Sequence, residues 1–167
     1  MKIREKYIAA TFIILLMTGF TFLMSSCNDN TIFVERKHIE AGSWKTTDTL
    51  YYQFSITDTI TPVDIYFNVR NSVDYQNQNL YIFLTAFYPG NKFSRDTIDI
   101  SLAEPDGKWI GKGSGAYRDV SFLFRKNLTF TKPGIYTLAI NQAMRTKELK
   151  GISDFGIRID KQNSGQQ

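Results

Sequence analysis

The chain has 167 residues, 43% hydrophobic, 14% aromatic and 22% charged, with a formal charge of +4. Its 11 Gly and 4 Pro are too few for a collagen-like or low-complexity chain, and the apolar fraction is too high for a disordered one. One cysteine excludes an intrachain disulfide and a multi-cysteine zinc site, and one histidine, His38, excludes a multi-histidine metal site.

The first segment reads as an address. Lys2, Arg4 and Lys6 stand against Glu5, residues 8–24 are almost wholly apolar and uncharged, and Ser25, Ser26 and Cys27 follow. A basic start, an apolar run and small residues before a cut site is the layout of a secretory signal. The apolar run is also near the lower length limit for a membrane span, so an N-terminal anchor is the competing reading. The lone cysteine decides between them. Leu23, Met24, Ser25, Ser26 and Cys27 resemble a bacterial lipobox, in which the cysteine thiol receives diacylglycerol and becomes the new N-terminus. Cleavage there removes residues 1–26 and leaves 141 residues with 17 basic and 15 acidic side chains, a balance of +2. That balance makes no case for nucleic acid. The partner implied directly is a membrane, reached through the lipid.

Residues 27–31 form a polar tether, and strands follow. Residues 33–39 make a first, weak strand. Leu50, Tyr52, Phe54 and Ile56 alternate with polar or aromatic neighbours, as do Val63, Ile65, Phe67 and Val69. Residues 80–87 are apolar at nearly every position, which suits a central strand covered on both faces or one whose outer aromatics meet a partner. The alternation resumes at Ile98, Ile100 and Leu102, at Val120, Phe122 and Phe124, at Tyr136, Leu138 and Ile140, and at Ile157 and Ile159. Each set defines one buried face. Pro62, Pro89 with Gly90, Pro105 with Gly107, and Pro133 with Gly134 separate them. The only helical candidate is 142–149. About eight or nine strands at hairpin spacing predict an all-β, antiparallel two-sheet sandwich over 32–160, jelly-roll-like, with a loose tail at 161–167.

Chemistry is sparse. His38 is the sole imidazole for a Ser-His-Asp triad, and a surface or edge-strand position suits it better. Gly111, Gly113 and Gly115 lead into a strand rather than a helix, so a bulge or close backbone approach fits them better than a phosphate cradle. The scattered acids carry no separation that would mark a glycosidase and no calcium-loop spacing. Trp44 and Trp109 follow turn residues. Each either caps the core or sits exposed at a sandwich end, where a ring stacks on a sugar or anchors a protein. Thr49, Thr59 and Thr97 each follow an aspartate and precede an apolar residue, resembling the acceptor of Bacteroidota O-glycosylation; Asp-Thr also simply opens strands.

The chain resembles the gliding-motility lipoprotein GldH family of the Bacteroidota. The resemblance is carried by Arg70 and Asn71 with Asp74, Tyr75, Asn79 and Leu80; by Leu102 through Pro105 with Gly107, Trp109, Gly111, Gly113 and Gly115; by Pro133, Gly134 and Tyr136; by Ile140 with Gln142 through Arg145; and by Gly151, Ile152, Asp154, Gly156, Arg158 and Ile159. It implies a lipid-anchored protein associated with the outer membrane that assembles or scaffolds other envelope or gliding-apparatus proteins; Asn28 and Asp29, with one acid, resemble surface-export signals poorly, which favours the periplasmic face. It implies no enzyme and no cofactor. A lipid-tethered carbohydrate-binding module is the alternative. In either case the working surface is expected where at least two of the segments 71–79, 104–115 and 142–154 meet at one end, with Trp109, Gln142, Arg145 and Asp154 together and an Arg145–Asp154 ion pair bracing them.

Overall fold

The computed structural model describes residues 30–162. The proposed signal segment and Cys27 therefore lie outside the described residues, as does the tail after Gln162. Ten strands follow in chain order: β1 (Thr31–His38), β2 (Ser43–Lys45), β3 (Leu50–Ile56), β4 (Val63–Ser72), β5 (Asn79–Tyr88), β6 (Lys92–Ser101), β7 (Tyr117–Leu128), β8 (Gly134–Gln142), β9 (Glu148–Lys150) and β10 (Ile152–Lys161). One sheet runs β1-β10-β4-β7 and the other β3-β8-β5-β6, all antiparallel, with β2 and β9 paired as a separate ribbon. Leaving out the ribbon, the eight long strands fall in the two interleaved four-strand orders of a jelly roll.

Alternation builds the core. β4 buries Val63, Ile65, Phe67, Val69 and Asn71 and turns the residues between them outward. β10 sends Phe155, Ile157 and Ile159 into the same layer. Phe155 is the hub between the sheets. Its ring lies 5.7 Å from Trp44, 6.4 Å from Tyr52 and 5.6 Å from Phe67, centroid to centroid. Edge strand β1 turns a charged pair inward, the Lys37 ammonium 2.7 Å from the Glu35 carboxylate. Inward charge of this kind discourages a stray strand from adding to the edge.

The structure corrects two expectations. β5 is central by hydrogen bonding, but only Leu80, Ile82, Leu84 and Ala86 are buried; Tyr81 and Phe87 face out with Phe83 half-buried between them. Two sheets leave each other's outer face bare, so an apolar run does not require a third layer. Residues 142–149 are not helical. Gln142 ends β8, wholly buried, and its side chain organises the turn instead: Nε2 donates to the Thr146 carbonyl at 2.9 Å and Oε1 accepts from the Met144 N–H at 2.8 Å. β9 follows directly.

Two buried tyrosines make the fold sensitive to alkali. The Tyr52 hydroxyl donates to the Phe155 carbonyl across the core at 2.7 Å. Burial, with the Glu35 carboxylate adding to it, holds its ionisation far above the ordinary value of 10. Burial likewise pushes Tyr75 up to about 12, against an opposing hydrogen bond from Asn77. A raised folded pKa means that the folded state keeps its proton longer than the unfolded state. The stability this represents is complete below pH 10 and is lost as pH rises beyond it. Urea midpoints are expected to hold from pH 8 to 9.5 and then fall, with Tyr52→Phe showing a shallower fall. An equal slope in mutant and wild type would remove Tyr52 from the account.

Candidate functional site

The antiparallel ladders sort the connections into two ends. β1 starts, β10 ends, β4 and β8 start and β7 ends at one of them, here the near end. The turns after β4, β6 and β8, together with the β1–β3 connection that holds β2, lie at the far end.

Three far-end segments touch. The N–H groups of Leu102 and Ala103 both donate to the Gln78 carbonyl, at 2.8 and 2.9 Å. The Ser72 N–H donates to the Gly151 carbonyl at 2.8 Å. Gly151 adopts φ +95° with the Tyr75 backbone and ring pressed against it, so any side chain there is both strained and crowded. Gly113 is comparable: at φ +146°, an added Cβ would lie 2.7 Å from the Tyr117 carbonyl oxygen. The glycine-rich stretch is therefore a close backbone approach, with Lys112 bridged to Asp119, and β7 follows it. Most of the residues that carry the family resemblance build this end.

An open groove lies between the 73–78 and 143–151 segments, with a volume of about 740 Å³. Tyr81, Met144 and Leu149 give it an apolar floor, and Arg145, Glu148 and Lys150 put charge at its margin. The Met144 sulfur accepts from the Tyr81 N–H at 3.3 Å, and the Ala143 N–H donates to the Tyr81 carbonyl at 2.8 Å. The turn is thus clasped to β5. A flexible thioether in the floor of the groove makes an adaptable contact surface.

Of the sequence-selected residues, Arg145 lines this groove. Gln142 lies beneath it as a positioning residue. Trp109 is half-buried against the core and bridged to Ala103, and Trp44 is wholly buried, its indole N–H donating to the Asp48 carbonyl at 3.0 Å. Neither indole is an exposed platform. The expected Arg145–Asp154 pair does not form among the described residues. A register shift between Ile152 and Asp154 sets Asp154 on the outer face of the β1-β10-β4-β7 sheet. There its Oδ1 lies 3.3 Å from His38 Nδ1 and its Oδ2 accepts from Ser153 Oγ at 2.7 Å. Ser153 meets the acid rather than the imidazole, so the three residues lack the serine–histidine contact of a nucleophilic triad. No cluster of metal-ligating side chains occurs among the described residues. Thr97 is exposed on β6, Thr59 is half-buried in the β3–β4 turn, and the Thr49 hydroxyl accepts from Asn141 Nδ2 at 2.7 Å.

Sequence reasoning missed Tyr81, Gln76 and Met144 as groove residues. The signal for Tyr81 was its phase, opposite to that of Leu80 and Ile82.

Comparison with known proteins gives a consistent relation. A protein from Christiangramia forsetii described as a gliding motility lipoprotein GldH homolog is 30% identical over 149 residues, covering 85% of this chain and 91% of that protein. The gliding motility lipoprotein GldH of Flavobacterium johnsoniae is 25% identical over 148 residues, covering 84% and 91%. Among solved structures, the Yersinia pseudotuberculosis-derived mitogen aligns over 80% of this chain and 90% of its own at 10% identity, with a TM-score of 0.35, too loose a likeness to bear on function. The family described as GldH lipoprotein matches residues 31–159, essentially the whole sandwich, and the chain belongs to that family.

Proposed function

We propose that this chain is a non-catalytic adaptor of the cell envelope associated with gliding motility, anchored by lipid on Cys27 at the periplasmic face of the outer membrane. The far-end groove receives a segment of another envelope protein. The family relation supports the gliding context. The observation that carries the adaptor reading is the groove itself: it is open, amphipathic, backed by a rigid sheet, and lies at the end away from the tether. Protein is favoured over glycan because Trp44 is wholly buried and Trp109 is half-buried against the core, so neither indole is a fully exposed face on which a sugar ring would stack.

Photo-crosslinking in living cells tests this. A benzophenone amino acid at Gln76 or Arg145 is expected to trap a discrete partner, while the same group at Ser121, on the outer face of the opposite sheet, is not. Arg145→Glu should reduce capture through position 76 several-fold and leave the thermal midpoint within about 2 °C, since exposed substitutions rarely matter to stability. Equal crosslinking from Ser121, or none from the groove, would remove the adaptor reading.

A further inference from the structure

The near end of the sandwich has a composition unlike the far end. Its exposed apolar side chains are large and outward: Ile60 is 87% exposed in the β3–β4 turn, Phe93 69% at the start of β6 and Ile135 60% at the start of β8. Ile32, at the start of β1, joins them. Folded domains rarely leave such side chains together at one tip without a contact to cover them.

Lys92, Lys126 and Lys132 are exposed at this end, and no ion pair among the described residues involves them. The carboxylates here are already engaged. Asp58 pairs with Lys161 at 3.6 Å and accepts from the Ile60 and Thr61 N–H groups. Asp64 accepts from the Asn127 N–H and the Gln162 side chain. Asp160 is held by Arg158 and Thr31. The lysines are therefore solvated and their charge is available to an anionic surface.

Chain length says what covers this end. The first described residue, Asn30, is fastened to the near end through its carbonyl, which accepts from the Lys161 N–H at 2.7 Å. Only Asn28 and Asp29 separate it from Cys27. Three residue steps span about 10 Å at most. A lipid on Cys27 thus holds the near end within about 10 Å of the headgroups, a distance comparable to the Debye length of roughly 8 Å in physiological salt. Tethering at that range makes even weak contacts intramolecular.

We propose that the near end is a membrane-docking surface: Ile60, Phe93, Ile135 and Ile32 enter the headgroup layer of a bilayer, while Lys92, Lys126 and Lys132 meet lipid phosphates. The domain then stands upright on the membrane rather than swinging on its tether, and the far-end groove is presented away from it. This inference rests on the reading that Cys27 is lipidated.

Because the lipid occupies the only native thiol, a single introduced cysteine labels uniquely. Full-length lipoprotein carrying Ile60→Cys, Phe93→Cys or, at the far end, Asp106→Cys is labelled with a nitrobenzoxadiazole dye. It is then reconstituted into vesicles of phosphatidylethanolamine and phosphatidylglycerol containing a nitroxide-bearing lipid. Dye at positions 60 and 93 is expected to be quenched at least two-fold, and dye at 106 not at all. Lys92→Glu, Lys126→Glu and Lys132→Glu combined should bring position 93 close to the level of 106, with the protein still vesicle-bound and its thermal midpoint intact. Equal quenching at 60, 93 and 106, or none at 60 and 93 in vesicle-bound protein, overturns the docking surface and leaves the anchor standing. Fatty-acid labelling of wild type in cells no greater than that of Cys27→Ser overturns the anchor, and the docking surface with it.

Discussion

Trp44→Ala is expected to cost about 3–5 kcal/mol, the range for deleting a fully buried large aromatic, and to lower the thermal midpoint by more than 10 °C. Trp44 is the one inward residue of β2, and Leu149 is its partner on β9. The ring rests on Phe155, the hub that also meets Tyr52 and Phe67. Truncation opens a cavity beside Phe155 and frees the Asp48 carbonyl from its indole donor. The effect should spread, because Trp44 and Leu149 are the only large side chains that pin the β2–β9 ribbon to the sandwich, and β9 supplies one wall of the groove. Trp44→Phe keeps part of the volume and should lose less than half as much. Urea unfolding checks both; a loss under 1 kcal/mol for the alanine variant would mean the ribbon is held by its backbone ladder and Leu149 without Trp44.

Gln142→Ala should act on the groove rather than on the sandwich. The amide replaces, for one turn, the hydrogen bonds that a helix or ladder would supply, and it does so from a wholly buried position. Removing it leaves a buried gap and strands the Met144 N–H and the Thr146 carbonyl. The cost is about 2–3 kcal/mol, moderated because the turn reaches water and its backbone can hydrate. The larger consequence is dynamic. Amide hydrogen exchange at 143–147 is expected to rise by at least ten-fold, with β4 and β10 unchanged, and partner capture should fall as far as in Arg145→Glu although Arg145 is intact. Protection unchanged at 143–147 would show that Met144 and Ala143, clasped to Tyr81, hold the turn without Gln142.

What could be read beforehand divides along the length of each signal. β4, with five inward residues in a row, announces itself, as do β3 and β8. β2 and β9 do not: three residues offer one inward side chain each, and one residue has no period. Their pairing joins Ser43 to Lys150, a contact that exists only once the whole chain is folded. The helix expected at 142–149 fails for a related reason, since the fate of those residues is decided by one buried amide rather than by propensity. The gathering of the irregular segments at one end follows from strand alternation and was legible. The facing of individual side chains was not. Asp154 was grouped with Arg145 by proximity in the chain, but the shift beside Ser153 turns it to the other sheet's outer face, next to His38. The tryptophans were ambiguous because following a turn says nothing about which way a ring points.

The pairing of β1 with β10 bears on when this protein can exist. β10 is the shared neighbour of β1 and β4, and the contact between Thr31 and Asp160 closes 129 residues of chain. A chain cut short before Ile152 has β1 without any ladder partner and β4 bare along one side. The β1-β10-β4-β7 sheet therefore cannot close while synthesis or export is under way. The polypeptide must be delivered whole before the first strand finds its place, and folding of such distant pairings is slow. During that interval the exposed strands need protection, so the yield of this domain is set by the machinery that carries the unfolded chain as much as by the stability of the finished sandwich.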